Sequence, residues 1–334
     1  MTTLFDRRET LALAGGLAAA ASSPAAARTA AKPAGQFEAL PIPHATMFER
    51  TRYFEIDSVK AGARYGIWVT VPTAYESQST HLFPAIYMPD GNSMALLSSM
   101  IGNAGMYDPI NPVQSSIQIA IGYTGSDRKR SLAVRARDLL PPKEAMPEGM
   151  VEGMRDADYG DMLDREGVQL YIQNLLNPAG DRFLAFLTEE LHPFIARNYR
   201  IQPDTVGLFG HSYGGLFTAY AALQKSTIFK NFGASSPGIL AGKSVVFKLY
   251  ADALESGGLS ERNLHLMVGT REITAPTLYQ WMVGEGSVEF IKKAGTTPIK
   301  GVNFSSHLID EESHVSLVMP AVFSFLRAFY AAKA

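Results

Sequence analysis

Gly210-His211-Ser212-Tyr213-Gly214 sets a serine between two glycines, the Gly-x-Ser-x-Gly spacing of a nucleophilic serine on a sharp turn. A hydroxyl held this way can attack a carbonyl carbon once an imidazole takes its proton and a carboxylate fixes that imidazole's tautomer. Val206-Gly207-Leu208-Phe209 before it reads as a strand, and Leu216 to Leu223 after it as a small-residue helix. Ser212 is therefore expected to stand at the carboxyl end of a sheet. The glycines at 210 and 214 are expected to be required, because the turn strains the serine backbone and flanking Cβ atoms would collide with the strand or helix.

The other two groups should follow the serine in the chain. Of seven histidines only His265, His307 and His314 lie far enough downstream. His265 and His307 sit inside strand patterns, whereas His314 follows the last strand at Asp310-Glu311-Glu312-Ser313-His314, where a loop can reach back over the sheet. Glu272, in the loop after Leu264 to Val268, is the leading carboxylate; Asp310 and Glu311 on the histidine loop are its rivals. A tetrahedral intermediate also needs two backbone donors. These are assigned to the amide of Tyr213 and to Gly91 and Asn92 in the loop Asp90-Gly91-Asn92-Ser93, where glycine lets the backbone approach closely. His211 reads as a packing residue of the turn. Arg128-Lys129-Arg130, with Arg135 and Arg137, reads as a solvated basic face, or as a preference for an anionic substrate if it lines a pocket.

These residues need a scaffold, and the chain patterns for one. Runs at 51–57, 65–71, 83–88, 116–122, 206–209, 232–235, 264–268 and 302–309 read as eight strands, the first two joined by a turn at Lys60-Ala61-Gly62-Ala63. Helical periodicity falls at 182–199, 244–254, 277–293 and 316–331. Strands alternating with helices predict an α/β fold: a mostly parallel twisted sheet of about eight strands with helices on both faces. Leu139 to Gly180, rich in proline and glycine, breaks the alternation and is read as an insertion over the site.

The 334 residues, near-neutral at −2, suffice for one large α/β domain from residue 50 to 334 and give no sign of a nucleic-acid partner. With no cysteine, disulfides and thiolate chemistry are excluded. Asp6-Arg7-Arg8-Glu9, the apolar run after it and Pro24-Ala25-Ala26-Ala27 read as a cleavable leader over residues 1–27, of twin-arginine type, followed by a linker at 28–49. The leader is too short and too weakly apolar to hold the chain in a bilayer, so the mature protein is expected to be periplasmic or extracellular.

Several separated stretches carry a resemblance. Pro84 to Asn92, Arg135-Ala136-Arg137-Asp138-Leu139-Leu140-Pro141-Pro142, Arg182 to Leu191 with Pro193-Phe194-Ile195, Gly210 to Gly215 and Ser236-Pro237 together resemble the putative esterase family of α/β-hydrolases, nearest its siderophore-esterase branch. The resemblance implies hydrolysis of a small-molecule ester through an acyl-serine, with Ser212 as nucleophile, His314 as base, Glu272 as acid and no cofactor. Gly238-Ile239-Leu240 departs from an aromatic stretch common in that branch, so a catechol siderophore does not follow. An acyltransferase, a peptidase or a catalytically silent binding protein on the same scaffold remain open.

Overall fold

The computed structural model describes residues 48–225 and 228–332. The leader expected over 1–27 and nearly all of the linker at 28–49 lie outside the described residues.

All eight expected strands form, and they make one sheet ordered β1-β2-β4-β3-β5-β6-β7-β8. β1 (Thr51–Ser58) and β2 (Ala63–Thr70) pair antiparallel across a turn at Gly62, whose φ of 65° suits a residue without Cβ. β2 also runs antiparallel to β4 (Ile117–Tyr123). From there β3 (Ala85–Met88), β5 (Gly207–His211), β6 (Asn231–Ser235), β7 (Arg262–Gly269) and β8 (Val302–Ile309) are all parallel. β3, β4 and β6 are buried along their whole length, as a sheet covered on both faces requires.

The strand alternation divides the core into two layers. Ala85, Tyr87 and Leu208 face one layer, which also takes Phe183, Phe186 and Phe217. Ile86, Met88 and Phe209 face the other, under the final helix Val318–Phe329. That helix sits very close to the sheet: a Cβ on Gly233 would lie 2.6 Å from Phe325 Cδ2, and one on Gly207 would lie 2.2 Å from the Tyr330 hydroxyl. Close packing here fixes the loop that precedes the helix, which carries His314.

The sheet order also fixes where a site can form. The chain leaves β3 toward β4 on one side, then crosses back over β3 to enter β5 and continues to β8 on the other. The carboxyl ends of β3 and β5 therefore flank the point where the connections diverge, and a crevice opens there.

Two regions differ from the sequence reading. The helix expected at 182–199 spans Gly180–Ala185 and His192–Asn198 with a wide π turn, Phe186–Leu191, between them. Pro193 explains the turn, since its ring lacks the amide and crowds the carbonyl that a regular α-helix would place there. The stretch from 139 to 180 is not merely loop: it holds the helices Met150–Asp156 and Arg165–Leu176. Asp164 caps the second by accepting the Gly167 amide at 2.7 Å, and Asn174 ties it to the Ala133 carbonyl at 2.9 Å.

Candidate active site

At the end of β5 the backbone of Ser212 turns to φ 60°, ψ −119°, a conformation L-residues rarely take and one that stores strain. The Ser212 amide is bonded to the Ser235 carbonyl on β6 at 3.0 Å, and the helix Tyr213–Ala222 starts at the next residue. Gly210 is required as expected, because a Cβ there would sit 2.1 Å from the Gly214 carbonyl oxygen. The expectation for Gly214 needs correcting. Its nearest neighbour outside the helix would be Asp90 Oδ2 at 3.4 Å, an ordinary contact, whereas a Cβ on Gly215 would lie 2.3 Å from the Ser235 carbonyl oxygen. The helix is pressed against β6 at Gly215, not at Gly214.

His314 and Glu272, 42 positions apart in the chain, meet. β7 ends at Gly269, and Glu272 lies in the first turn of the short helix Thr270–Thr274, 2% exposed. Its Oε2 accepts the Gly269 amide at 2.9 Å and the Ser236 hydroxyl at 2.7 Å, and its Oε1 lies 2.6 Å from His314 Nδ1. A carboxylate at that distance accepts a proton held on Nδ1 and so leaves Nε2 as the ring's lone-pair nitrogen. The imidazole is stacked on Tyr279 at 4.1 Å between centroids and lies 4.6 Å from the ring of His211, the residue before Ser212. The rival acids are engaged elsewhere: Thr270 donates to Asp310 at 3.2 Å, and Arg271 pairs with Glu311.

His211 packs as expected. Its Nδ1 lies 2.9 Å from the Ser235 hydroxyl, and burial, reinforced by the nearby His314 and Arg135, holds its pKa well below the histidine norm. His265 and His307 also stay structural, bridged by the Ser324 hydroxyl at 2.9 and 2.8 Å.

Tyr213 is the first residue of its helix, and Gly91 and Asn92 open the helix Gly91–Met94 after β3; amides in a first turn have no partner within their own helix. The loop is braced on β4. A Cβ on Gly91 would fall 2.5 Å from the Ile121 backbone carbon, and the Asn92 side chain accepts the Tyr123 amide at 2.7 Å while donating to its carbonyl at 3.0 Å.

The basic cluster does not form a solvated face. Arg135 makes a two-pronged pair with Asp90, both bonds 2.8 Å, and its guanidinium lies 4.9 Å from the centre of the Tyr213 ring. Burial opposes the Arg135 charge, but the Asp90 carboxylate outweighs it and raises the pKa above the arginine norm. Asp90 itself is held at φ 60°. One buried cation thus ties the loop after β3 to the helix after β5. Arg137 pairs with Asp138, and Arg130 with Asp164 and Glu166. Ser236, at a strained φ of 40°, and Tyr279 were not singled out from the sequence as site residues. Nothing in the spacing of a Ser-Pro pair or a lone tyrosine marks them. Among the described residues, no group of three or more histidine, aspartate or glutamate side chains could hold a metal ion.

Comparison with known proteins agrees with this architecture. A family model described as Putative esterase matches residues 58–246, more than half of the chain. The chain belongs to that family. It is 22% identical over 245 residues to the ferri-bacillibactin esterase BesA of Bacillus subtilis, covering 72% of this chain and 76% of that one. It is 30% identical over 160 residues to the siderophore enterobactin esterase of Emericella nidulans, a segment that is 46% of each chain. Among solved structures, the siderophore hydrolase EstA of Aspergillus nidulans superposes with a TM-score of 0.66 at 21% identity, over 88% of this chain and 99% of that one. The esterase is thus a carboxylic ester hydrolase on an α/β-hydrolase fold.

Proposed function

We propose that this esterase works through an acyl-serine intermediate. Ser212 Oγ attacks the ester carbonyl while His314 Nε2 takes its proton, and Glu272 holds the imidazole and stabilises its cation. The amides of Tyr213 and of Gly91 or Asn92 receive the oxyanion. His314 then protonates the departing alkoxide, and water, deprotonated by the same imidazole, attacks the acyl-enzyme to release the acid and free Ser212. The single observation that carries the reading is the 2.6 Å contact between Glu272 and His314, set beside a serine whose backbone is strained at an elbow.

The substrate is a small-molecule ester. Siderophore esters are the first class to screen, because the relatives carry that chemistry in their names. Export through the twin-arginine leader completes the reading, and replacing Arg7 and Arg8 with lysine should leave the protein in the cytoplasmic fraction. Turnover of p-nitrophenyl acetate by Ser212→Ala tests the mechanism: it should fall by at least about 10³-fold, and unchanged turnover would remove Ser212 from the chemistry.

A further inference from the structure

The stretch from Leu140 to Met150 leaves the helix Ser131–Leu139 and closes a pocket against Tyr213, Gly238, Leu240 and Met282. Tyr213 follows the elbow serine, and Met282 belongs to the turn that follows Tyr279, which stacks on His314. The pocket therefore borders the reacting groups on two sides. Glu144 is the only charged residue lining it.

Glu144 is 9% exposed. Its Oε2 accepts the Val245 amide at 3.2 Å, while Oε1 is buried with no hydrogen-bond partner, as is the nearby Ser244 hydroxyl. Buried polar atoms are seldom left this way, because each orphan forfeits about 1–3 kcal/mol. Folding alone does not explain the carboxyl, since an aliphatic side chain would fill the same space without that cost. Burial raises the Glu144 pKa to about 7, against the pull of Ser244 and of the Val245 and Ala145 amides. Near neutral pH the group is then divided between an ionised acceptor and a protonated donor. A hydroxyl can answer either form; a methyl group answers neither.

We propose that this pocket receives a short, hydroxyl-bearing limb of the ester and that Glu144 Oε1 recognises the hydroxyl. The cavity holds about 30 Å³, and about 10–15 Å³ admits one water, so the limb that enters is two or three heavy atoms long. Pro147, Met146 and Met150 supply the apolar wall for its carbons. The assignment rests on Ser212 as nucleophile, because the pocket is located relative to the reaction through Tyr213.

The test compares substrates matched in size. On the acyl side these are p-nitrophenyl 3-hydroxybutyrate and p-nitrophenyl butyrate; on the alcohol side, 2-hydroxyethyl butyrate and propyl butyrate. The wild-type protein should favour the hydroxylated member of at least one pair in kcat/KM by about tenfold or more, and the pair that responds identifies which limb enters. Glu144→Leu should bring that ratio to within about threefold of one. Each ratio is taken within one preparation, so loss of folded protein cancels. If the variant does not fold, the wild-type ratios alone decide. A wild-type ratio near one in both pairs overturns the proposal, and so does a preference that survives in Glu144→Leu. Ser212→Ala, run alongside, separates the two levels: if it still turns over these esters, the mechanism has failed rather than the pocket.

Discussion

Oε1 of Glu272 lies 2.6 Å from Nδ1 of His314, and its Oε2 is held by the Gly269 amide and the Ser236 hydroxyl. The carboxylate is thus fixed at both oxygens before it meets the imidazole. Glu272→Gln can present a donor where an acceptor is needed and stabilise the wrong tautomer, so kcat should fall about 10³–10⁴-fold with the fold intact. Glu311→Ala removes only an exposed pair with Arg271 and should leave kcat/KM within about twofold and stability within about 1 kcal/mol. Steady-state kinetics on both variants would reassign the acid if the losses were reversed.

Ser236 acts on the reaction through Glu272. Ser236→Ala leaves a carboxylate oxygen with one bond fewer and should lower kcat by about tenfold, with KM little changed, if a group formed in the transition state is being oriented. An equal change in KM and none in kcat would assign Ser236 to substrate binding instead.

Arg135 joins Asp90 to the ring of Tyr213, so it spans the two loops assigned to the oxyanion. Lysine keeps the charge but cannot reproduce the planar two-pronged pair. Arg135→Lys should cost about 10- to 100-fold in kcat, and a double-mutant cycle with Asp90→Asn should show coupling above about 1 kcal/mol. Additive losses would mean that the two residues act separately.

The chemistry-bearing residues and the sheet were legible in the sequence because their signals are local. β-rich runs, a glycine-flanked serine and a histidine after the last strand can each be read within about ten residues. What could not be read depends on partners brought together by folding. Arg135 and Arg130 look alike in a basic run, and only the strand order brings Asp90 to one and Asp164 to the other. Gly214 was weighted over Gly215 because the motif names it, yet the close contact with β6 falls one residue later. Gly214→Ala should therefore fold with a Tm within a few degrees of wild type, while Gly215→Ala should lose about 3 kcal/mol or more; equal thermal shifts would refute that placement.

His265 supplies a pH test of the fold. Burial, with some help from His307, pushes its pKa down to about 4, below the usual value of about 6.5. The unfolded chain therefore takes up the proton first. This contribution to stability is intact above about pH 6.5, declines as the pH falls, and is fully lost by about pH 4. Urea midpoints measured at pH 7 and pH 4.5 should fall less in His265→Gln than in wild type, by on the order of 1–2 kcal/mol. Identical acid losses in the two proteins would place the titration elsewhere.

Labelling with a fluorophosphonate, followed by peptide mapping, bears most directly on the mechanism. One adduct per chain on Ser212, with its rate of formation reduced about 10³-fold or more in His314→Gln, is the expected result. An adduct on another residue, or labelling of Ser212 that is indifferent to His314, would contradict the account.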